Sequence, residues 1–322
     1  MKGFDPRWKD LPDYIIGITK EIWEDRNVHT LRGYYGKEMA KRAPDGVVVG
    51  AEAVIAETLG ALALSPGLQV LCDDVIWSGT EDDGFLSSHR SLIQMPHVND
   101  DVFGKATGKL LWQYCIADCA CRDNIIYDEW LVHDTAAFLR QLGIEPKAFA
   151  TQTIETEGGP ADASRPLTPQ SDVKAIYTGR GNAHPVGQRY ADIINRIMTG
   201  DLATIQRDYD RGCHLHLPGG VTAHGTPAAD AFWLGLRAAF PSALFEIHHQ
   251  IGREDPHMPQ RAALRWSLTG AHDGWGAFGA PTGAKVHVMG MSHAEFGPYG
   301  LRREYVLYDE ISILKQIVLK AG

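Results

Sequence analysis

One sequence pattern occurs twice in this chain, at a constant separation of 175 residues. Residues 127–134 read YDEWLVHD and residues 302–309 read RREYVLYD, and an apolar segment that contains a glutamine follows each copy. The same separation relates four earlier pairs: His97 and His272, Pro66 and Pro241, Gly50 and Gly225, and Tyr34 and Tyr209. A repeat carried over this length predicts two copies of one structural unit.

The repeat also predicts where the domains begin and end. We expect a first domain over residues 1–148, a linker over 149–187 that is rich in small and polar residues, and a second domain over 188–322. Around residues 78–97 the two copies run one residue out of step, so that Ser91-Leu92 matches Ser267-Leu268. We interpret this slip as a difference in loop length.

Composition limits the classes of protein to which the chain can belong. The net charge is −9, and no cluster of basic residues is visible in the sequence. Both observations argue against a nucleic-acid partner. The chain has no apolar run long enough to span a membrane and no secretory signal, so we predict a cytoplasmic protein without a membrane partner. Five cysteines cannot all pair, which favours reduced thiols.

Hydrophobic periodicity predicts the same order of elements in both copies. Residues 13–42 have helical spacing with a break near residue 25, a short extended segment follows, and a third helix is predicted over residues 51–63. Four segments in each copy then have the features of β-strands. Three helices followed by a four-stranded antiparallel meander predict an α+β fold, with the helices on one face of the sheet.

Two stretches carry a resemblance to a known family. They are residues 270–286, with Gly270-Ala271-His272 and Phe278-Gly279, and the pattern Glu129-Trp130-x3-Asp134 followed by Gln141-Leu142-Gly143. Together they resemble the SnoaL-like polyketide cyclase (ester cyclase) family of the nuclear transport factor 2-like superfamily, here as a tandem pair. The resemblance implies two cystatin-like cone folds, each with about three helices packed on a curved, mostly antiparallel sheet.

The resemblance also implies a pocket for an apolar ring compound and a catalytic aspartate on the last strand. By motif position these aspartates are Asp134 and Asp309. Strand alternation places Asp134 on one face with Trp130, and Asp309 on one face with Tyr305. If those faces line the cones, burial raises the pKa of each carboxyl toward the range useful for proton transfer. The alternative is that both aspartates cap the helix that follows.

Histidines supply candidate polar partners for these aspartates. His272 recurs in the first copy as His97, and a neutral imidazole there can hydrogen-bond a substrate carbonyl or simply fix a hairpin. His89 and Arg265 occupy what we interpret as equivalent strand positions, and a positive group in a cone stabilises an enolate or binds a carboxylate. An ion pair or a domain interface is the alternative for these two residues.

Seven further residues are predicted to bind the ligand. Aromatic rings form the expected walls of the pocket, and the remaining side chains offer charge or hydrogen bonds. The predicted ligand-binding residues are Trp275, Trp266, Tyr305, Trp130, Arg265, Arg90 and His293.

We expect neither a metal nor a nucleotide cofactor. His214, His216 and His224 have spacing that suits a metal ion, which is the main rival hypothesis, but no acidic partner stands at a recognisable distance along the chain. No glycine pattern lies between a strand and a helix, as a phosphate-binding loop requires.

These observations predict a cofactor-independent lyase or isomerase of the polyketide cyclase type that acts on a small apolar carbonyl or ring-containing compound. Asp309, Asp134, His272 and His89 are the predicted catalytic residues. The alternative is a non-catalytic protein of the same superfamily that binds a small ligand or interacts with a partner. The two domains are expected to form an internal pseudo-dimer, and further assembly into a homo-oligomer is left open.

Overall fold

The computed structural model describes residues 1–320, and their Cα positions divide into two compact units. The first unit comprises Met1–His133 and Gln170–Gly179. The second unit comprises Asp134–Pro169 and the residues from Arg180 onward. Each unit contains one six-stranded sheet.

In the first unit three helices precede the four meander strands, as predicted. Its elements are helix α1 (Leu11–Trp23), a 3₁₀ turn (Val28–Thr30), helix α2 (Leu31–Tyr34), strands β1 (Tyr35–Ala43) and β2 (Gly46–Val49), helix α3 (Ala51–Leu64), and strands β3 (Gln69–Thr80), β4 (Gly84–Pro96), β5 (Leu110–Arg122) and β6 (Ile125–His133).

The second unit repeats this order after two additional helices. Its elements are helices α4 (Thr135–Leu142), α5 (Pro146–Thr156), α6 (Pro185–Met198) and α7 (Ala203–Asp208), strands β7 (Tyr209–Leu217) and β8 (Val221–His224), helix α8 (Thr226–Ala239), strands β9 (Leu244–Arg253), β10 (Gln260–Ala271), β11 (Lys285–Gly297) and β12 (Gly300–Tyr308), and helix α9 (Glu310–Leu319).

The two sheets have the same strand order. They run β2-β1-β6-β5-β4-β3 and β8-β7-β12-β11-β10-β9. β1 pairs with β6 in parallel and β7 pairs with β12 in parallel, whereas the other neighbours are antiparallel. The α+β fold with two similar bodies is therefore confirmed. The helix predicted to continue to residue 42 is wrong from Tyr35, where β1 begins and adds a strand to the predicted meander.

Strand pairing fixes how the two copies correspond. In the first sheet Cys115 pairs with His133, and 175 residues later Gly290 pairs with Tyr308. The same offset relates the edge strands, where the bulges at Asp73 and at His248 interrupt equivalent positions. The separation therefore holds through all four meander strands.

The one-residue slip predicted within β4 and β10 is wrong. Ser91 pairs with Cys115 and Trp266 pairs with Gly290, so Ser91 corresponds to Trp266 rather than to Ser267. His89 accordingly corresponds to Leu264 and not to Arg265. In β1 and β7 the offset is 174, which makes Tyr35 the counterpart of Tyr209.

The inner face of each sheet is the face that packs into the helix-covered core. In the second unit this core includes Leu264, Trp266, Val288 and Val306 from the sheet and Trp233 from α8. α6 contributes an apolar stripe at helical spacing to the same core. The inner face of the first sheet carries the positions that correspond to these by the offset, and Tyr14 of α1 lies beside Cys119 and Cys121 on that face.

No helix within residues 1–320 is long and apolar enough to cross a membrane.

Candidate functional site

The carboxylate on the inner face of the second sheet is Glu304, not Asp309. Glu304 is fully buried and hydrogen-bonds to core residues, and Val306 and Tyr308 follow it on the same face. Strand alternation therefore turns Tyr305 to the opposite face. The prediction that Trp130, Asp134, Tyr305 and Asp309 lie on the cone-lining faces is wrong by one residue.

Three donors surround Glu304. The hydroxyl of Tyr190 donates to Oε1 at 2.8 Å, the hydroxyl of Tyr209 donates to Oε2 at 2.9 Å, and the indole Nε1 of Trp233 reaches Oε2 at 3.4 Å. Burial raises the pKa of the Glu304 carboxyl to about 7, against the effect of these hydrogen bonds. Glu304 is a satisfied polar group inside an aromatic core.

Glu129 occupies the corresponding position in the first unit but has fewer partners. Tyr35, the counterpart of Tyr209, hydrogen-bonds to Glu129. The positions that correspond to Tyr190 and Trp233 hold Ile15 and Thr58, which supply no side-chain donor to it. As a result, Oε2 of Glu129 is buried without a hydrogen-bond partner. A buried unpaired carboxylate oxygen is costly and marks a candidate site for chemistry.

The inner faces of the two sheets differ in polarity as well. The first sheet carries hydrogen-bonding side chains where the second carries apolar or aromatic ones. The pairs, with the first-unit residue named first, are Lys41 and Leu215, His89 and Leu264, Ser91 and Trp266, Gln113 and Val288, and His133 and Tyr308. The inner face of the second sheet is therefore largely apolar. The inner face of the first sheet carries ionisable and hydrogen-bonding side chains.

Small side chains accompany this change in the first unit. In the second unit the indole of Trp266 lies over Gly290, where an added Cβ would come within 2.2 Å of the ring. In the first unit the same cross-strand pair is Ser91 and Cys115. The first unit therefore lacks the indole that fills this part of the core in the second unit.

His89 and His133 are neutral imidazoles on this face. Burial lowers the pKa of His89 to about 4, and burial together with the charge of Lys41 lowers the pKa of His133 to about 4. Both side chains are only partly buried. Nδ1 of His89 lies 3.2 Å from Oγ of Ser87, and Nδ1 of His133 lies 3.5 Å from Nε2 of Gln113.

Lys41 is the cation of this inner face. It forms an ion pair with Glu57 of α3, and it is the cross-strand neighbour of Glu129. Burial raises the pKa of the Glu129 carboxyl, while the Lys41 charge and the hydrogen bond from Tyr35 oppose that rise. The pKa of the Glu129 carboxyl is therefore above its ordinary value, with burial as the largest cause.

Strand geometry sets the distances across the site. His89 lies two strands away from Glu129 and one cross-strand row further along the sheet, which places the two backbones roughly 12 Å apart. His133 lies four residues after Glu129, about 13 Å along the same strand. The acid and the two imidazoles therefore share one face of the sheet.

Asp134 is bound by backbone amides of the second unit. Its carboxylate accepts hydrogen bonds from the N–H groups of Gly219 and Gly220 at 2.6 and 2.8 Å. Both glycines have positive φ, in the turn after β7, which aims successive N–H groups at one point. Burial raises the pKa of Asp134 to about 7. The geometry gives Asp134 a role in fixing this turn.

Asp309 caps helix α9, as the alternative interpretation expects. Its side chain accepts hydrogen bonds from the backbone N–H groups of Ile311 and Ser312 at 3.2 and 3.1 Å. The hydroxyl of Ser312 donates to it as well. These are the contacts of an N-cap residue.

His272 and His97 hold equivalent hairpin loops. Nδ1 of His272 lies 3.1 Å from Oγ1 of Thr282, and its carbonyl oxygen accepts from the N–H groups of Thr282 and Gly283. His97 makes the same contacts with Thr107 and Gly108. The hairpin interpretation accounts for these histidines, although Nε2 of His272 is buried without a partner.

The two predicted wall tryptophans of the second unit lie in different environments. Trp266 is on the inner face, where it is fully buried and donates from Nε1 to Oγ of Ser292 at 2.8 Å. Trp275 is 73% exposed on the hairpin loop, so its prediction as a pocket wall is wrong.

The remaining predicted residues lie on the outer faces. Tyr305 stacks on His216 with ring centroids 4.2 Å apart, and His293 is the cross-strand neighbour of Tyr305. Their strand positions place three further residues on the outer faces: Arg265, which pairs with His249 and Met291; Arg90, whose Nε donates to Asp73; and Trp130, which packs under Arg42. Of all the predicted site residues, the structure places only His89 and Trp266 on an inner face.

The histidines of the metal hypothesis form a stack. The rings of His214 and His224 are parallel at 4.5 Å, and His216 lies 4.5 Å from His214. Within residues 1–320, no three histidine, cysteine or acidic side chains are arranged to hold a metal ion.

Two copies of a helix-covered, six-stranded mixed sheet define a tandem α+β architecture. Residues 188–300 match the family model of the SnoaL-like domain. The matched residues lie in the second unit, and this match confirms the family resemblance found in the sequence. The first unit repeats the sheet topology of the second.

Solved structures similar to this chain each cover the length of one unit. IdmH from Streptomyces antibioticus, described as a proposed polyketide cyclase, has 20% identity and a TM-score of 0.36, and the match covers 41% of this chain and 98% of IdmH. A proposed SnoaL-like polyketide cyclase from Jannaschia sp. CCS1 has 16% identity and a TM-score of 0.36, with 42% and 96% covered. TsrD from Streptomyces laurentii has 16% identity and a TM-score of 0.36, with 44% and 99% covered. No curated protein matches the sequence.

Sequence reasoning missed Glu129, Tyr35, Lys41, Gln113 and His133 as site residues. The sequence did contain a signal for Glu129, because a glutamate occurs at the equivalent position of both copies, Glu129 and Glu304, 175 residues apart. The others could have been found by asking where the two copies differ in polarity rather than where they agree.

Proposed function

We propose that the first unit is the catalytic unit of a cyclase-type lyase or isomerase that acts on a small carbonyl compound, with Glu129 as the proton carrier. The observation that carries this proposal is the buried, unpaired Oε2 of Glu129. Its counterpart Glu304, with three donors, is structural.

The proposed step begins with the ionised Glu129. A C–H bond next to the substrate carbonyl breaks, its proton moves to Oε2, and its electron pair moves onto the carbonyl oxygen as an enolate. The enolate carbon then attacks a second carbonyl of the same molecule, and Glu129 returns the proton to the resulting alkoxide. Atoms and electrons balance within substrate and carboxyl, so this step as proposed requires no cofactor.

The neutral histidines support the enolate in this proposal. An imidazole N–H of His89 or His133 donates to the oxygen on which negative charge develops. Because both pKa values lie at about 4, the rings are neutral at pH 7 and do not neutralise Glu129. Tyr35 orients the carboxylate and leaves its second oxygen for the substrate.

The experiment compares two matched variants, Glu129→Gln and Glu304→Gln. Exchange of α-protons for deuterium is followed by ¹H NMR in D₂O, with a panel of plain and hydroxylated ketones as probes. We expect wild-type protein and Glu304→Gln to accelerate exchange, and Glu129→Gln to lose at least about 100-fold of the acceleration, the usual contribution of a positioned base.

Two outcomes would contradict this function. If Glu129→Gln exchanges the probes as fast as wild type, Glu129 is not the proton carrier. If the probes shift amide resonances of the first inner face but no probe exchanges, the unit is a binding protein of the same superfamily.

A further inference from the structure

A polar groove lies in the second unit, away from Glu304. Its volume is about 440 Å³, which lies in the range of small-molecule sites. It runs between helix α6, the edge strand β9 and the segment that precedes α6. The polar residues that line it are Arg180, Asn182, Gln188, Asn195, His248, His249 and Gln250.

The backbone of one wall is fixed. The N–H of Gln250 donates to the carbonyl of Arg180 at 3.0 Å, and the N–H of Asn182 donates to the carbonyl of Gln250 at 3.1 Å. Gly181 between them has positive φ, and an added Cβ would lie 1.6 Å from the oxygen of Gln250. This close approach requires glycine, and it holds Arg180 at the groove before any ligand binds.

The residues that line the groove include one arginine and no acidic side chain. Arg180 is exposed, and its guanidinium group donates a 2.7 Å hydrogen bond to the carbonyl of Ile247. Burial, followed by the charges of Arg265 and Arg180, lowers the pKa of His249 to about 3. The charges of both guanidinium groups therefore act on His249, which lines the groove.

The corresponding positions of the first unit are acidic. By the 175-residue offset, Gln188 corresponds to Asp13, and His248 and His249 correspond to Asp73 and Asp74. The fold itself therefore does not demand a positive groove at this place.

We propose that this groove binds a small hydroxylated anion, with a phosphate or carboxylate group on Arg180 and hydroxyl groups on the side-chain amides of Gln188, Asn195 and Gln250. A guanidinium group presents several N–H donors to an anion. Side-chain amides both donate and accept, as hydroxyl groups require. This site goes beyond the proposed function, because Glu129 lies in the other unit.

The test uses three probes of similar size: glucose 6-phosphate, gluconate and neutral glucose. Binding to the full chain is measured by NMR titration of the backbone amides of Gly181, Asn195 and Gln250. Arg180→Gln removes the charge at the groove. Arg211→Gln makes the same change at an exposed position of β7 and is the matched control.

We expect at least one anionic probe to shift these amides, glucose to bind at least about tenfold more weakly, and Arg180→Gln to weaken binding of the anion at least about tenfold while Arg211→Gln leaves it unchanged. Binding of the phosphate alone or of the carboxylate alone identifies the anion and supports the site. The proposal is overturned if neither anion shifts the groove amides, if glucose binds equally well, or if the two arginine variants weaken binding equally.

Discussion

Glu129 and Glu304 stand at the same position of two equivalent sheets, 175 residues apart, yet only Glu304 has all its carboxylate oxygens hydrogen-bonded. Two side chains of the surrounding helices make the difference, because Tyr190 and Trp233 are replaced by Ile15 and Thr58 in the first unit. The same acid is therefore fully hydrogen-bonded in one unit and keeps a buried, unpaired carboxylate oxygen in the other.

The first prediction concerns how the stability of the second unit depends on pH. The pKa of Glu304 is about 7 in the folded protein and 4.5 as its ordinary value, so between these pH values the folded state binds the extra proton. Stability is then fully present below pH 4.5 and is lost as pH rises toward 7, by about 3 kcal/mol. Glu304→Gln should remove this loss.

The measurement is urea unfolding from pH 4.5 to 7.5, followed by tryptophan fluorescence. Asp134 has a raised pKa and contributes in the same direction, so the informative quantity is the difference between wild type and Glu304→Gln. A difference that does not change with pH would show that Glu304 is ionised in the folded protein.

The second prediction separates a structural Asp134 from a catalytic one. Asp134→Ala leaves the buried N–H groups of Gly219 and Gly220 without their acceptor, which should lower the free energy of unfolding by about 2 to 4 kcal/mol. Asp134→Asn retains one acceptor and should cost less. Deuterium exchange on the probes, normalised to folded protein, should be unchanged in Asp134→Asn, and a loss of more than tenfold would restore Asp134 as a catalytic candidate.

Much of the fold could be predicted because its signals are local. The third helix was predicted over residues 51–63 and lies at Ala51–Leu64, and the four meander strands were found in both copies. β1 was missed because its sequence, YGKEMAKRA, is rich in good helix formers. Parallel pairing with β6, a long-range interaction, overrides that local preference.

The site was harder to predict because both faces of the strands are buried. In β6, Glu129 is 6% exposed on the inner face, and Trp130 and Val132 are 6% and 0% exposed on the outer face. Apolar alternation then gives no clue to which face meets the helices. The family motif drew attention to Asp134 and Asp309, and only the hydrogen bonds to Glu304 show where the inner acid lies.

The third prediction concerns the cap of α9. Asp309→Ala should lower the free energy of unfolding by about 1 kcal/mol, because the N–H groups of Ile311 and Ser312 lose their acceptor. Asp309→Asn caps nearly as well and should cost less than half as much. Chemical denaturation measures both variants, and equal losses in the two would indicate that the charge of Asp309 rather than its capping matters.

The fourth prediction concerns the pH profile of exchange. Glu129 must be ionised to accept a proton, so the rate should rise with pH through an apparent pKa above 4.5, the ordinary value for a glutamate. Lys41 lowers that pKa through its charge. Lys41→Met should therefore move the rising limb to higher pH, while Lys37→Met, at an exposed position of the same strand, should leave it in place. Equal profiles for wild type and Lys41→Met would exclude coupling of Lys41 to the base.

The fifth prediction exchanges one inner-face residue between the units. His89→Leu introduces the residue that the second unit has at this position, Leu264, and removes a partly buried imidazole whose protonation is disfavoured. We expect the free energy of unfolding to stay equal or rise by about 1 kcal/mol, whereas exchange falls at least about tenfold, because functional polar groups are held at the expense of stability.

The reverse variant, Leu264→His, places an imidazole in a filled apolar core and should cost about 2 kcal/mol or more, with exchange unchanged. Calorimetry and deuterium exchange on both variants decide the point. If His89→Leu destabilises the protein while exchange continues, His89 is a packing residue of the first unit, and the enolate must be stabilised by His133 or by another donor on the inner face.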